Sequence, residues 1–577
     1  MNHFSRAWPF APVMLLVAVI AACSAPSTSP SQPGNSQAAV QGQPAIQRTL
    51  VILARGEPPS IAAKPLQSFS GSLLGPIRMF NAMLDYNDER QVIHPYLAEA
   101  LPELNTSSWQ VFPDGTMQTT YHLRPGLTWH DGAPLTADDF VFGWTVYSTP
   151  ELGASTAVPI PQMSDVLAPD PRTVTINWRR LYPDAVGIDL AFQALPAHIL
   201  REPLQRLDAE SFINLPFWTR DYVGLGPFRL TQWIPGSAME ASAFDGHALG
   251  RPTIDQVRIL FTPDPNTALA LMLSGDAHFA SDYVFFYEEG ATLEQEWQAR
   301  GADGVVDYAP TLLRLTAIQH RPDAANPRAL ADVRIRRALA YGVDGQAAVD
   351  VTTGGRGLAT YTVTSPRSPL YKAVEAAVPS RRYDPRAVQQ LFEEAGFSKG
   401  PQGFFVGQGG EPFRLEYATD GGPSPERENS IYVDSLRQAG VDAFSYVIPI
   451  VQLRDLQARS LRPGLSNGAI GAKALGLFIS AEVPRPENRW AGNNRGGWTN
   501  PEYDRLWQSF DTALDARDRS RYTTEMERLL YEDTAIIPNM FTVVVNARVA
   551  TLRGPEMRTT PDAGIGIQNI HTWTWSG

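Results

Sequence analysis

The adjacent residues His130 and Asp131 are the first candidates for chemistry, because a histidine beside a carboxylate can activate a nucleophile. With Gly132 they also make a typical turn sequence, since Asp hydrogen-bonds the backbone and Gly readily adopts a positive φ. We identify no nucleophile partner for this pair. We therefore interpret it as a turn and predict a protein without catalytic residues.

The composition argues against metal and nucleic-acid chemistry. One cysteine, Cys23, in 577 residues excludes a disulfide framework, a Cys-rich zinc site and an iron–sulfur cluster. The nine histidines show no HxH or HExxH spacing. The net charge is −12 without a long basic run, which disfavours nucleic acid as a partner. We predict no metal and no cofactor in a chain whose 43% hydrophobic content is typical of globular domains.

The N-terminal residues have the pattern of an export signal. Arg6 precedes an apolar run over 11–22, which is shorter than the roughly 20 residues that span a bilayer. The run ends in Ile-Ala-Ala-Cys23, which resembles the bacterial lipoprotein box, in which the cysteine is lipidated. An ordinary signal peptide with a chance cysteine is the alternative. Residues 23–48 are rich in Ser, Pro, Gln and Gly, which predicts a flexible linker.

Strand and helix patterns alternate along the rest of the chain, which predicts a mixed α/β fold. Residues 49–54 are typical of a strand buried on both faces, and 117–124 and 173–178 alternate like hairpin strands. Helices are predicted after four N-terminal capping signals, which begin at Thr136, Asp332, Asp384 and Asn500.

Three arginines follow the predicted cap Asp332, namely Arg334, Arg336 and Arg337. Such a group could bind an anion. We interpret it instead as a solvated or ion-paired helix face.

Several sequence blocks resemble the family 5 extracellular solute-binding proteins, the oligopeptide, dipeptide and nickel binders of ABC importers. The blocks follow the family's order and together cover most of residues 49–550. They are 95–100, 114–116, 121–139, 224–236, 263–276, 332–344, 383–397, 498–504 and 537–548.

This resemblance implies the two-lobed periplasmic-binding-protein fold (type II, three-domain class C variant), with a hinge and an interlobe cleft. Mapped onto this chain, 1–22 is the signal peptide and 23–48 the lipidated cysteine and linker. Lobe I then comprises 49–92, 220–315 and 533–577, its extra subdomain 93–219, and lobe II 316–532.

The implied function is that of a lipid-anchored, monomeric substrate-binding protein outside the cytoplasm. It would capture a solute, in the first place an oligopeptide, and deliver it unaltered to ABC permease subunits in the membrane. A receptor for a non-peptide solute such as an oligosaccharide is one alternative. A secreted hydrolase and an adhesion or signalling lipoprotein are two others.

Candidate ligand-binding residues also follow from the resemblance. Asp420, at the end of a short strand, matches the aspartate that pairs with a peptide's amino terminus, with Thr419 and Tyr417 beside it; an Asx turn before two glycines is the alternative. Ser70 and Gly71 lie in a loop that would offer backbone groups to a peptide.

Two departures from the family pattern bear on the ligand. The stretch 476–482 lacks the family's tryptophan, and 542–544 lacks its aromatic residues. Trp490 and Trp498 could stack on the ligand instead, or could belong to the core.

Overall fold

The structure is a computed structural model that describes residues 49–62, 76–155, 157–301, 303–449, 452, 455–471, 475–556, 566–567 and 569–576. The predicted signal peptide, Cys23, the linker and the loop with Ser70 and Gly71 lie outside these residues. In the described part, no helix combines the length and the apolar character that crossing a bilayer requires.

The strands are β1 (Thr49–Ala54), β2 (Asp85–Asn87), β3 (Ile93–Pro95), β4 (Trp109–Val111), β5 (Met117–His122), β6 (Met163–Asp170), β7 (Thr173–Trp178), β8 (Phe228–Ile234), β9 (Ala238–Ala243), β10 (Gln256–Phe261), β11 (Phe279–Phe285), β12 (Gly304–Ile318), β13 (Leu358–Ala359), β14 (Ser398–Lys399), β15 (Phe405–Val406), β16 (Arg414–Asp420), β17 (Asp442–Ile448), β18 (Leu465–Ile470), β19 (Ile536–Val549), β20 (Leu552–Arg553) and β21 (Thr574–Trp575).

The helices are α1 (Ala137–Ser148), α2 (Ala197–Arg206), α3 (Ala209–Ile213), α4 (Pro265–Ser274), α5 (Tyr287–Ala299), α6 (Val333–Gly342), α7 (Gly345–Thr353), α8 (Tyr371–Ala377), α9 (Pro385–Glu394), α10 (Pro423–Gln438), α11 (Leu456–Ser460), α12 (Pro501–Thr512) and α13 (Ala516–Asp533).

One large sheet runs through the molecule in the order β17-β16-β18-β12-β19-β11-β1-β10-β9-β8, with β13 attached to β19. We call the side with β1 and β8 to β11 the first lobe, and the side with β16 to β18 the second lobe. Strands β12 and β19 pass through both. A separate sheet, β4-β5-β7-β6, packs with α1 and shares the hydrophobic core of the first lobe.

Each lobe has its own core among the described residues. In the first lobe, Leu50 and Ile52 of β1 pack in one cluster, and Leu53 on the opposite face of β1 packs in another. In the second lobe, clusters lie on either side of β12, with Ile318 in one and Leu313 in the other. Strand β1 is thus buried on both faces, as its aliphatic run predicts.

The predicted helix caps are confirmed. Asp384 accepts hydrogen bonds from the backbone at the start of α9, and Asn500 does the same for α12. Thr136 and Asp139 form the capping box of α1, and Asp332 caps α6. These local signals are strong because each side chain satisfies backbone N–H groups that the first turn leaves unpaired.

The arginines of α6 differ from the prediction in one respect. Arg334 makes an ion pair with Asp332 at 2.6 Å, as expected of an exposed face. Arg336 is buried, however, and its guanidinium donates to the carbonyl of Asp533 at 2.8 Å, at the end of α13. Arg337 donates to the neighbouring Glu532 carbonyl at 2.7 Å. The cations of Arg336 and Arg337 therefore stabilise a helix C-terminus.

The interpretation of His130 and Asp131 as a turn is confirmed. The buried His130 ring lies 3.0 Å from the Gly226 carbonyl through Nε2, and its Nδ1 accepts from the Gly224 N–H at 3.2 Å. Asp131 instead accepts from the Ala133 N–H at 3.0 Å. Burial lowers the pKa of His130 to about 4, so the folded protein keeps this ring neutral.

We expect His130 to make the stability depend on pH. Its pKa in the folded state, about 4, lies below the value of roughly 6.5 in an unfolded chain. The unfolded chain therefore binds more protons between these values, so the contribution is complete above pH 6.5 and is lost as the pH falls toward 4. The loss between pH 7 and pH 5 amounts to about 2 kcal/mol. The substitution His130→Gln should reduce the fall in Tm between these pH values, measured by thermal denaturation.

The matched control is His122→Gln on β5, where the histidine is exposed. It should keep the pH dependence of the parent protein. An unchanged pH dependence in the His130→Gln protein would contradict the assignment.

Candidate functional site

The two lobes are joined by the antiparallel pair β12 and β19. Their pairing extends from Gly304 opposite Val549 to Ala317 opposite Ile536. The register shifts between Pro310 and Leu312 and again between Arg314 and Leu315. The first shift is a bulge at the level where the strands pass from one lobe to the other. This segment is therefore the connection about which the lobes face each other.

The parallel strands of both lobes point their carboxyl ends at this connection. In the second lobe β16 runs parallel to β17 and β18, and the last residue of β18, Ile470, pairs with Leu313. In the first lobe β1 runs parallel to β10 and β11, and the last residue of β11, Phe285, pairs with Val545, which lies opposite Tyr308. Tyr308 and Leu313 are five residues apart on β12, which is about 17 Å in an extended chain.

The two sets of strand ends border a crevice between the lobes. Ligands of α/β proteins usually bind in such a crevice, outside the carboxyl ends of the parallel strands. We call the space between the two sets of strand ends the interlobe cleft. It is our candidate functional site.

Asp420 is the last residue of β16 and is exposed at the second-lobe wall of this cleft. Its carboxylate has no hydrogen bond or ion pair with the residues that the structure describes. The Gly422 N–H, which an Asx turn would direct to Asp420, donates instead to the Glu426 carboxylate at 2.8 Å. The Asx-turn alternative is therefore not supported, and the Asp420 carboxylate is accessible to a cationic group.

A buried ion pair lies behind Asp420, and the sequence reasoning missed it. Arg314 of β12 donates to the Glu428 carboxylate of α10 at 2.8 Å, and the Tyr432 hydroxyl donates to the same carboxylate at 3.0 Å. Despite burial, the charge of Glu428 raises the pKa of Arg314, with a smaller effect of Asp420. No motif marks this pair, because Arg314 and Glu428 are far apart in the sequence.

The other predicted residues of this strand are less accessible than Asp420. Thr419 is buried, and its hydroxyl donates to the Pro425 carbonyl at 3.3 Å. Tyr417 is fully buried, stacks on Tyr432 and shares a short hydrogen bond with the hydroxyl of Thr316. These contacts make Tyr417 a core residue of the second lobe. It could contact a ligand only if this core rearranged.

The two tryptophans lie in different environments. Trp498 is buried, its Nε1 donates to Asp533 at 3.2 Å, and its ring packs edge-on against Tyr503, as a core residue does. Trp490 is half-buried and has a φ of 60°. Only Trp490 could therefore offer ring surface to a solute without repacking the core.

On the first-lobe wall, an exposed cation and an exposed aromatic ring meet. Arg55 follows β1 directly, and its guanidinium lies 5.2 Å from the ring centroid of Phe286, which follows β11. Both residues stand at carboxyl ends of first-lobe strands. Sequence reasoning also missed this pair, since neither residue belongs to a recognisable motif.

The spacing Gly-x-Ser-x-Gly, typical of a nucleophilic serine on a strand-to-helix turn, occurs at Gly464–Gly468, and the search for a nucleophile overlooked it. Ser466 lies inside β18 and pairs with Ala317 and Ala418 on its two sides. It is therefore not on a turn. The described residues also contain no cluster of three or more His, Cys, Asp or Glu side chains that could hold a metal ion.

Ion pairs connect the lobes beside the cleft. Arg427 at the start of α10 contacts Glu288 of α5 at 2.6 Å, and Arg356 contacts Glu294 of α5 at 2.6 Å. Tyr287, the first residue of α5, packs against Gly354, where a Cβ would lie 1.8 Å from the tyrosine hydroxyl. The lobes are thus in contact along α5, which is a closed arrangement.

Two α/β lobes that face each other across a cleft, and that are joined by a pair of shared strands, define a periplasmic binding protein. Residues 99–444 match the sequence model of the bacterial extracellular solute-binding proteins, family 5 (middle), and the chain belongs to this family. Members are binding proteins, and the functional class is that of the substrate-binding proteins of ABC importers.

Known proteins agree with this assignment over nearly the whole chain. The oligopeptide-binding protein AppA of Bacillus subtilis (strain 168) is 24% identical over 578 residues, which cover 97% of each chain. The periplasmic oligopeptide-binding protein of a Thermotoga maritima ABC transporter has a TM-score of 0.74 at 18% identity, over 92% of this chain and 100% of that one. NikA from Brucella suis, solved with Fe(III)-EDTA, has a TM-score of 0.72 at 17% identity, with the same coverage. The solved structures support the fold, which confirms the predicted two-lobed class.

We expect the contact between Arg427 and Glu288 to favour the closed arrangement only slightly. An exposed ion pair contributes about 0.2–1 kcal/mol, and 1 kcal/mol changes an equilibrium about fivefold. The substitution Glu288→Gln should therefore raise the open-to-closed ratio of the unliganded protein by up to about fivefold at low salt. Small-angle X-ray scattering would detect this as a larger radius of gyration.

The matched control is Glu296→Gln on the same helix, because Glu296 pairs at 3.7 Å with Arg300, the residue directly after α5 in the same lobe. High salt should remove the difference between the two variants, since it screens exposed charges. Identical scattering of the two variants at low salt would contradict a role of Glu288 in closure.

Proposed function

We propose that this protein is the lipid-anchored substrate-binding protein of an ABC importer, that it works as a monomer, and that it captures an oligopeptide between its lobes. The observation that carries the proposal is the convergence of strand carboxyl ends from both lobes on one cleft, with an accessible carboxylate on one wall. Two of the three proteins named above, from Bacillus subtilis and Thermotoga maritima, are oligopeptide-binding proteins, which supports a peptide over an oligosaccharide.

The domain division that we propose is lobe I at 49–92, 220–315 and 533–577, its subdomain at 93–219, and lobe II at 316–532. The position of the bulge at Pro310 to Leu312 supports the boundary near 315, since β12 changes lobes there. The proposed boundary near 533 lies at the end of α13, before β19 begins, whereas β19 reaches the level of the bulge only at Thr542 and Val543.

In the proposed mechanism, the charges of the two walls select a zwitterionic chain. Asp420 pairs with the ammonium group of the peptide, and Arg55 offers the opposite charge across the cleft. A ligand that touches both walls is held only when the lobes are closed, so binding shifts the population toward closure. The closed form then delivers the unaltered peptide to the permease subunits. Trp490 and the backbone of Ser70 and Gly71 are proposed further contacts.

Peptides should be found in protein purified from its native host. Denaturation followed by mass spectrometry would identify the released material, and we expect peptides of mixed sequence, since contacts to termini and backbone do not read side chains. A single non-peptide species would contradict the proposal. One of the released peptides then serves as the probe for the next experiment.

The substitution Asp420→Asn should weaken binding of that peptide by more than about tenfold, because it removes a charge-assisted contact to the ammonium group. Isothermal titration calorimetry measures the Kd directly. Asp518→Asn is the matched control, since Asp518 is an exposed residue of α13 that pairs with Arg521 of the same helix. Equal affinities of the two variants would remove Asp420 from the site.

The anchor that we propose is the acylated Cys23, followed by the linker to residue 48. Two or three acyl chains hold a protein at a membrane stably, where one chain binds only reversibly. The substitution Cys23→Ser should therefore move the protein from the membrane fraction to the soluble fraction of its host. Membrane association that persists in the Cys23→Ser protein would contradict lipidation at this residue.

A further inference from the structure

The second lobe contains a cavity of about 670 Å³ that is separate from the strand ends of the interlobe cleft. It lies beside the edge of β19 that pairs with β13, and Ile537 to Asn539 form one of its walls. The other walls come from the start of α7, from α8 and from residues 380–383. Its volume is within the range of small-molecule sites, which is roughly 300–1,000 Å³.

The wall of this cavity includes an arginine, Arg381, that has no acidic partner among the residues that the structure describes. Its guanidinium lies 3.9 Å from the ring centroid of Tyr531. One nitrogen donates to the Tyr531 carbonyl at 3.1 Å and another lies 3.4 Å from the Thr534 hydroxyl. The Nε atom is shielded from solvent and has no partner among the described residues. Arg381 makes no ion pair in the described part of the chain.

This arrangement leaves a charge uncompensated in a largely buried position. A guanidinium has five N–H donors, and the acceptors around Arg381 are neutral. Removing a cation from water without a counter-charge is costly, which is why burial lowers the pKa of Arg381. An anion that enters the cavity would provide the missing charge.

The remaining lining limits the charge that such an anion can carry. Glu375 is exposed at the cavity, and Asp344 uses one carboxylate oxygen to cap α7 at 2.9 Å. Together with Arg381 and Arg382, these residues give a lining without net charge. A second or third negative charge on the ligand would meet Glu375 and Asp344 and be repelled.

Uncharged polar groups fill much of the rest of the wall. The Tyr371 hydroxyl lies 3.4 Å from that of Tyr361. Gln346, Thr360 and Asn539 also line this part, and each side chain already makes a hydrogen bond within the protein. Phenol, amide and hydroxyl groups can both donate and accept, so they suit a ligand that carries hydroxyl groups.

We propose that this cavity binds a small hydroxylated organic monocarboxylate, whose carboxylate pairs with Arg381, independently of any solute in the interlobe cleft. Arg381 is suited to the role because a guanidinium forms strong, charge-assisted hydrogen bonds with a carboxylate.

The probe is sodium D-gluconate, titrated into the full-length protein by isothermal titration calorimetry. We expect one gluconate per chain, binding of sorbitol at least about tenfold weaker because it lacks the charge, and weaker binding of citrate because of Glu375 and Asp344. The substitution Arg381→Gln should weaken gluconate binding by at least about tenfold. Absence of gluconate binding, or equal binding of sorbitol, would overturn the proposal.

Two further variants keep the test decisive if Arg381→Gln does not fold. The substitution Glu375→Gln should strengthen citrate binding relative to gluconate, because it removes a repelling charge from the wall. The substitution Asp420→Asn should leave gluconate binding unchanged, since Asp420 belongs to the cleft. An unchanged ratio of the citrate and gluconate affinities in the Glu375→Gln protein would contradict the proposed site. Loss of gluconate binding in the Asp420→Asn protein would also contradict it. Loss of gluconate binding in the Asp420→Asn protein would place gluconate in the interlobe cleft. The proposed function of that cleft is tested separately, by peptide binding.

Discussion

The hydrogen-bonded pairing of β12 with β19 is the constraint on which the rest of the structure depends. Two paired strands couple the lobes more tightly than one flexible linker would. The ladder is nevertheless interrupted twice, between Pro310 and Leu312 and between Arg314 and Leu315. Proline has no N–H to donate and a bulge bends the strand that carries it, so the ladder is weakened at these interruptions. The parallel strands of both lobes belong to the same sheet as β12 and β19. The geometry of this pair therefore also determines where the carboxyl ends of those strands meet.

The electrostatic contacts divide into two kinds with different consequences. The pairs between lobes, Arg427 with Glu288 and Arg356 with Glu294, are partly exposed and contribute little, so the closed arrangement is only slightly favoured. The pair of Arg314 with Glu428 is buried within one lobe, where removal of either partner would leave a charge uncompensated. The wall of the cleft is therefore fixed, while the contact between the walls can be made and broken at small cost.

Sequence reasoning succeeded where the signal is local. A helix cap such as Asp384 can be predicted from the residues that directly follow it. A buried strand such as β1 can be predicted from its own run of aliphatic residues. The pair of β12 and β19 was not predicted, because Pro310 and Pro538 break the strand pattern and the partners are more than 200 residues apart. Aromatic residues show the same limit: Trp498 in the core and the half-buried Trp490 are equivalent in sequence, and only packing distinguishes them. Asp420 could be proposed because it matches the strand-end aspartate of the family, whereas only the fold shows that Arg381 makes no ion pair with a described carboxylate.

A buried polar chain explains why Tyr417 belongs to the core rather than to the cleft. The Asn539 side chain of β19 donates to the Thr316 hydroxyl of β12 at 3.0 Å, and Thr316 in turn contacts the Tyr417 hydroxyl of β16. A shift of one residue in β12 would turn Thr316 to the opposite face and leave Asn539 and Tyr417 buried without this partner. The chain thus fixes the register of the second lobe. With the register fixed, Asp420, three residues beyond Tyr417, can only emerge at the carboxyl edge of β16, where the cleft begins.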